Sequence, residues 1–143
     1  MRLHSIVVAV CGVLLAFLPR AAAAQPAVKA VTAWAALPAA GATVADVYVE
    51  VANPTMYDIY ITAATADLAP TVELRGPAKG GADAPVVTEF AVPAYGSIEA
   101  AATAPHLRLV NLSRALAAGD TIALTLTTDS GAQLKVAAAV RTP

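Results

Sequence analysis

Most of the chain after residue 25 alternates between apolar and polar positions with a period of two residues. Val47, Val49 and Val51 share one side of such a pattern, and Leu107 and Leu109 share one side of another. This period is typical of β-strands that have one buried face. Turn residues separate the segments at intervals of about ten residues. No segment keeps a helical period over the length of a helix.

The pattern predicts nine short strands. They cover residues 28–35, 46–51, 57–62, 71–75, 86–92, 97–101, 106–110, 121–128 and 134–140. Strands of this spacing predict an all-β, single-domain protein, an antiparallel Greek-key β-sandwich. We expect Trp34 to lie in its core, and Tyr48, Tyr57 and Tyr60 to be half-buried strand aromatics.

The N-terminus has the pattern of a secretory signal peptide. Arg2 and His4 precede an apolar run over residues 6–18, and alanines follow at residues 21–24. We expect cleavage after Ala24, which leaves residues 25–143 as a periplasmic domain without membrane insertion. The apolar run is shorter than the roughly 20 residues of a spanning helix, so a membrane anchor is the weaker alternative. Lipid attachment at Cys11 is weaker still, because the apolar run continues beyond that residue.

Without residues 1–24, the chain keeps His106 and Met56 and has no cysteine. A soft-metal site needs several thiolate, thioether or imidazole groups that converge on one point. Any such site in this chain must therefore depend on His106. The formal net charge is −1, and no basic patch suggests a nucleic-acid partner.

Nothing in the sequence selects catalytic residues. Acid–base catalysis needs a positioned pair of titratable groups, and the spacing of the carboxylates selects no pair among Asp46, Asp58, Glu73 and Glu89. Ser113 and Ser130 have no neighbouring base in the sequence. We therefore predict that the protein is not an enzyme.

Several short segments of the chain occur in an order that is found in one protein family. They are residues 31–35 (Val-Thr-Ala-Trp-Ala), a Pro38/Gly41 turn, 47–53 (Val-Tyr-Val-Glu-Val-Ala-Asn), 72–74 (Val-Glu-Leu), 92–96 (Val-Pro-Ala-Tyr-Gly), 105–109 (Pro-His-Leu-Arg-Leu), 119–121 (Gly-Asp-Thr) and 124–126 (Leu-Thr-Leu). The set resembles the periplasmic copper chaperones of the PCu(A)C family. The resemblance implies a small exported cupredoxin-like β-barrel or sandwich that carries Cu(I) toward cytochrome oxidase assembly.

The resemblance also implies where copper ligands would lie. The family has a histidine after Glu-Leu on one strand, a methionine about a dozen residues later and a final His-x-Met. In this chain Arg75 stands at the first position, residues 80–87 contain no sulfur, and the last motif reads His106-Leu107-Arg108. Only His106 matches, since a guanidinium group is always charged and cannot coordinate a metal.

Two functions from different classes follow from this partial match. The first is weak Cu(I) handling, or Cu(I) handling in which His106 joins the ligands of a copper-transfer or oxidase-assembly partner. Met56, in the turn at 53–57, is a candidate additional ligand, although a surface or packing role is favoured. The second is a metal-free paralogue that binds a protein or an anion in the cell envelope. Arg75, His106 and Arg108 would form the binding patch, and a solvated polar surface is the simpler interpretation of the same residues.

Overall fold

The computed structural model describes residues 27–79 and 83–143, and these residues form nine β-strands. The strands are β1 (Lys29–Ala36), β2 (Val44–Asn53), β3 (Ile59–Ala66), β4 (Thr71–Arg75), β5 (Phe90–Val92), β6 (Gly96–Ile98), β7 (His106–Val110), β8 (Thr121–Thr128) and β9 (Gln133–Arg141). The described residues include no helix that is long and apolar enough to cross a bilayer. The predicted signal peptide lies outside the described residues.

The strands form one sheet in the order β4-β7-β2-β1-β9-β8-β3-β5, and β6 pairs with β2. β3 also packs against β4, so the sheet curls round until its two ends nearly meet. The result is a barrel-like, all-β single domain, as the sequence predicts. The curled sheet has one inner face, which encloses the core, and one outer face.

One pairing departs from the predicted antiparallel arrangement. β1 and β9, the first and last strands, run parallel, and Trp34 pairs with Ala139. Every other strand pair is antiparallel among the described residues. Period-two alternation reports which face a side chain takes but not the direction of the neighbouring strand, so the sequence pattern does not reveal this contact.

The core lies on the inner face and is made of aliphatic side chains from alternate positions. Leu107, Leu109, Ile122 and Leu126 are fully buried, as the alternation predicts. Alanines fill the remaining inner positions of β1, where Ala35 is fully buried. Small residues there allow the curled sheet to close tightly around the branched side chains.

Three local predictions were wrong. Residues 86–92 form a strand only over Phe90–Val92, although Val86 makes an isolated bridge to Arg75. Tyr57 lies in a loop and is 69% exposed, because β3 begins only at Ile59. Trp34 lies on the outer face, since its neighbours Ala33 and Ala35 take the inner positions.

Candidate functional site

The outer face of β4, β7 and β2 gathers the charged residues of the candidate site. Register pairs Arg75 with His106 and Glu73 with Arg108 across β4 and β7. On the other side of β7, Arg108 pairs with Asp46 of β2. Directly paired residues on one face of a sheet lie about 5 Å apart, so the fold brings Arg75, His106 and Arg108 together. We call Asp46, Glu73, Arg75, Asp83 and Arg108 the ion-pair face.

Arg108 is held by two carboxylates at once. Its Nε and Nη2 donate to the two carboxylate oxygens of Asp46, at 2.7 and 3.1 Å. Its Nη1 and Nη2 donate to both oxygens of Asp83, at 2.9 and 3.0 Å. Each contact is a two-point, charge-assisted pair, which is the strongest geometry that a guanidinium group forms with a carboxylate. The Arg108 side chain is only 17% exposed.

Arg75 is also bonded to groups of its own chain, one carboxylate and one backbone carbonyl. Its Nη2 donates to Glu73 on the same side of β4, and its Nη1 donates to the carbonyl oxygen of Ala84 at 2.8 Å. Asp83 lies 3.9 Å from its Nη1. The Arg75 side chain is 14% exposed, and its Nε is buried without a hydrogen-bond partner among the described residues.

The charges on this face nearly cancel, because three carboxylates surround two guanidinium groups. Hydrogen bonds from Arg108 lower the pKa of Asp83, and the bonds to Asp46 and Asp83 raise the pKa of Arg108. Arg108 therefore stays charged and Asp83 stays ionised at neutral pH. An added anion would have to compete with carboxylates that are already in place.

His106 lies beside the ion-pair face but is buried, with 4% of its surface exposed. Its Nδ1 lies 3.1 Å from the carbonyl oxygen of Ala104, which suits an Nδ1–H donor. Its ring packs against Tyr48 at 5.1 Å between centroids, and Tyr48 packs against Trp34 at 4.6 Å. Burial raises the pKa of Tyr48.

Trp34 and its neighbours cover the rest of this face. The indole nitrogen of Trp34 donates to the carbonyl oxygen of Ala100 at 2.9 Å, which brings the loop before β7 over the sheet. The guanidinium of Arg141 stacks on the Trp34 ring, 4.2 Å from its centroid. His106 is thus the inner end of a row of three rings, each tilted against the next, beside the loop before β7.

Met56 does not join these residues. It lies in the loop after β2 and is 62% exposed. The Asn53 end of β2 is five residues from Tyr48, whose ring packs against His106, and this corresponds to about 16 Å along an extended strand. Within one chain, Met56 therefore cannot complete a site around His106.

From the sequence, Asp46 and Glu73 were examined only as possible catalytic carboxylates, and Asp83 was not among the candidate site residues. Glu73 and Arg75 are two residues apart on one strand, so their shared face could have been recognised. The contact between Asp46 and Arg108 depends on the pairing of β2 with β7, which no local pattern encodes. The structure pairs these acids with arginines rather than with each other.

Comparison with known proteins gives one family and several related folds. Residues 28–140 match the LpqE-like family model, described as "Putative lipoprotein LpqE-like". The structure is similar to the copper-bound PCuAC domain from PmoF2, with a TM-score of 0.70 and 20% identity over 84% of this chain and 97% of that one. It is also similar to the Cu(I) form of DR1885 from Deinococcus radiodurans, with a TM-score of 0.68 and 27% identity over 83% of this chain and 82% of that one.

No curated protein sequence matches the chain significantly. The family match and the structural matches confirm the resemblance to the PCu(A)C copper chaperones that the sequence predicts, and the fold agrees with it.

The residues present do not fit the copper ion that the fold family implies. Cu(I) prefers thioether, thiolate and imidazole ligands. At the positions where the resemblance implies ligands, this chain has His106 and two arginines, Arg75 and Arg108, and both arginines are bonded to carboxylates. Among residues 27–79 and 83–143, no group of three or more His, Cys, Asp or Glu side chains could hold a metal ion.

Proposed function

The chain belongs to the LpqE-like family, and from that premise we propose that it is a copper-chaperone-like protein that does not carry Cu(I) by itself. We propose further that it acts as a protein-binding module of the cell envelope. One observation carries the proposal. The two ligand positions that have become arginine are closed by the chain's own carboxylates, chiefly through the double contact of Arg108 with Asp46 and Asp83.

Closure of this face makes a metal-free role the better explanation. A guanidinium group offers no lone pair and would repel Cu⁺. Loss of one arginine would leave a carboxylate, a hard ligand with low preference for Cu(I). The same closure weakens the anion-binding hypothesis for Arg75, His106 and Arg108, since an anion must displace Asp46, Glu73 or Asp83.

A second candidate is Cu(I) handling assisted by a partner in cytochrome oxidase assembly, and the orientation of His106 favours it. The contact of Nδ1 with the Ala104 carbonyl fixes the ring and leaves Nε2 as the nitrogen for a metal, an arrangement common among metal-binding histidines. A partner that moves the loop before β7 would have to reach that nitrogen, because the ring is buried.

The pattern of residues 1–24 supports export to the periplasm. The description of the family as a lipoprotein adds weight to the alternative of lipid attachment at Cys11. Intact-mass measurement of the protein purified from its membrane and soluble fractions separates the two. A chain that begins at Gln25 supports signal-peptide cleavage, and a diacylglyceryl adduct on Cys11 supports lipid attachment.

A non-enzymatic role agrees with the pairing of the acidic residues. The carboxylates of Asp46 and Glu73 are bonded to arginines, and Asp58 accepts a hydrogen bond from the backbone of Ala94 at 2.9 Å. None of these acids faces a second titratable group that could take up or release a proton with it.

The test is a Cu(I) competition titration against a colorimetric chelator, with the mature chain that begins at Gln25. We expect no stoichiometric binding by the wild type or by His106→Ala. We expect the double variant Arg75→His/Arg108→Met to gain affinity, because it restores an imidazole and a thioether beside His106. Arg114→Met, which changes an exposed arginine outside this face, is the matched control.

Stoichiometric binding by the wild type that disappears in His106→Ala would overturn the metal-free proposal. Binding that appears only when an oxidase-assembly protein is added, and that His106→Ala abolishes, would favour the partner-assisted candidate.

A further inference from the structure

The end of the barrel opposite the ion-pair face carries three exposed apolar side chains on two adjacent loops. The loops are residues 54–58, after β2, and residues 93–95, between β5 and β6. Met56 is 62% exposed, Tyr57 69% and Tyr95 74%. We call these three side chains the tyrosine tip. Exposed apolar side chains that cluster in this way mark interaction sites more often than isolated ones do.

The two loops are fixed to each other by a buried amide. The side chain of Asn53 donates to the carbonyl oxygens of Tyr57 at 2.7 Å and Val92 at 3.0 Å. The backbone N–H of Tyr95 donates to the carbonyl of Thr55 at 3.0 Å. The backbone that carries the tyrosine tip is therefore held in place before any partner binds, which lowers the entropy lost on association.

The N–H of Gly96 donates to the carbonyl of Pro93 at 3.0 Å, which closes a β-turn with Tyr95 at its third position. Such a turn can require a positive φ at that position, but glycine meets the requirement better than tyrosine. The φ of Tyr95 is +54°, in the left-handed region that favours glycine, and its ring is mostly in solvent. A bulky residue in this region is strained. Since the exposed ring does not fill the core, the strain is consistent with selection for an interaction outside the molecule.

The charges around the tyrosine tip indicate what would bind there. Loops 54–58 and 93–95 and the neighbouring hairpin 129–132 contain Asp58 and Asp129 and no lysine or arginine. The hairpin adjoins these loops, since the N–H of Asp129 donates to the carbonyl of Tyr60 at 2.9 Å. Lys29 lies beside the loops, opposite Ala52, rather than within them.

We propose that the tyrosine tip binds a basic segment of a partner protein, one that presents arginine or lysine next to apolar side chains. Guanidinium and ammonium groups stack on tyrosine rings and pair with the free carboxylate oxygens of Asp58 and Asp129. Met56 supplies an adaptable apolar contact for the neighbouring side chains. This inference rests on the proposed role as a protein-binding module and names the surface and the partner chemistry.

The experiment is selection of random peptides on the mature protein, followed by affinity measurements with the enriched peptides. We expect the enriched peptides to contain Arg or Lys beside apolar residues. We expect the double variant Tyr57→Ser/Tyr95→Gly to bind them at least about tenfold more weakly, which is about 1.4 kcal/mol. Asp58→Asn keeps the oxygen that accepts from Ala94 but removes the charge, and it should weaken binding less.

Val86→Thr is the matched control, because Val86 is also exposed, at 61%, and pairs with Arg75 at the other end of the barrel. It should bind like the wild type, and circular dichroism should show that all variants are folded. Enriched peptides that are not basic, or that bind the double variant equally well, overturn the proposal.

Two further measurements test other occupants of the tyrosine tip. Cosedimentation with phosphatidylglycerol vesicles, or dimerisation in analytical ultracentrifugation, that the double variant abolishes would overturn the proposal in favour of a lipid surface or a second copy of the chain. The copper titration stays independent, since Cu(I) binding by the wild type would contradict the metal-free function without changing peptide affinity at the tip.

Discussion

The ion-pair face and the tyrosine tip lie at opposite ends of β2 and use their side chains in opposite ways. At the ion-pair face, charged side chains bond to one another, and Arg108 donates four hydrogen bonds to two carboxylates of the same chain. At the tyrosine tip, a buried amide fixes the backbone and leaves Met56, Tyr57 and Tyr95 in solvent. A surface whose hydrogen-bond donors and acceptors are bonded to each other has few groups available to bind a ligand. A rigid surface with exposed rings keeps that capacity.

The rigidity of the tyrosine tip depends first on Asn53. We expect this side chain to contribute more to the free energy of unfolding than any other polar side chain. Asn53 is 1% exposed and bonds to both loops of the tip. Asn53→Ala would leave buried backbone groups without partners, so we expect a loss of about 2–4 kcal/mol in the free energy of unfolding. Urea denaturation monitored by Trp34 fluorescence measures it.

Thr55→Ala serves as the control for Asn53→Ala. The hydroxyl of Thr55 donates to the side-chain oxygen of Asn53 at 2.6 Å, but its removal leaves intact the bonds that the Asn53 amide nitrogen donates to the other loop. A loss of no more than about 1 kcal/mol is expected. If Asn53→Ala also cost less than that, the Asn53 amide would not be what fixes the two loops, and the argument that it preorganises the tip would fail.

A double-mutant cycle on Asp46 and Arg108 tests whether the ion-pair face is closed by its own contacts. Their side chains are 26% and 17% exposed and share two hydrogen bonds. For Asp46→Ala and Arg108→Met, we expect a coupling free energy of about 1–3 kcal/mol. Thermal or urea unfolding of the four proteins measures it.

The matched cycle uses Arg114 and Asp120, which form a single contact at 2.8 Å with the arginine side chain half exposed. Coupling there should be about 0.2–1 kcal/mol, as for exposed pairs in general. Equal coupling in the two cycles would mean that the ion-pair face is an ordinary solvated surface, which removes the argument that it is closed.

The sequence predicted the inner face of the molecule far better than its outer face. Alternation at Leu107, Leu109 and Ile122 locates the core because burial depends on a local period of two. The partners of Arg108 depend on which strands become neighbours, and Asp46 is 62 positions away along the chain. Tyr57 was misplaced for a related reason. Its carbonyl accepts a hydrogen bond from the Asn53 side chain within the loop before β3, and the alternation of residues does not reveal this contact.

The resemblance gave more of the candidate site than the residue pattern did. It placed Arg75, His106 and Arg108 together, and the pairing of β4 with β7 brings them together in the structure. It gave no role to Asp83, because the resemblance led us to examine residues 80–87 only for a sulfur ligand and not for a carboxylate that closes the face. The tyrosine tip was missed because an exposed tyrosine with positive φ leaves no signature in hydrophobic periodicity.

Acid should loosen the ion-pair face. Hydrogen bonds from Arg108 lower the pKa of Asp83 in the folded state. The stabilisation is therefore complete above the unfolded pKa, near 3.9, and is lost as the pH falls from about 5 through that value toward the folded pKa. We expect the melting temperature of Asp83→Asn to fall less steeply over this range than that of the wild type. Parallel curves for the two proteins would show that Asp83 does not tie down Arg108 in solution.

The smallest expected effect is a gain in stability at the tip. Tyr95→Gly relieves a positive φ, but it also makes the unfolded chain more flexible, so we expect a net stabilisation of about 0.5–1 kcal/mol in thermal unfolding. Gly96→Ala is the contrasting control, because a Cβ there would lie 2.8 Å from Cγ of Pro93, and it should destabilise. If Tyr95→Gly destabilised the protein instead, the Tyr95 ring would be contributing to the fold. The tip would then resemble the ion-pair face, with its side chains committed to the molecule itself and its strain no longer evidence for a partner.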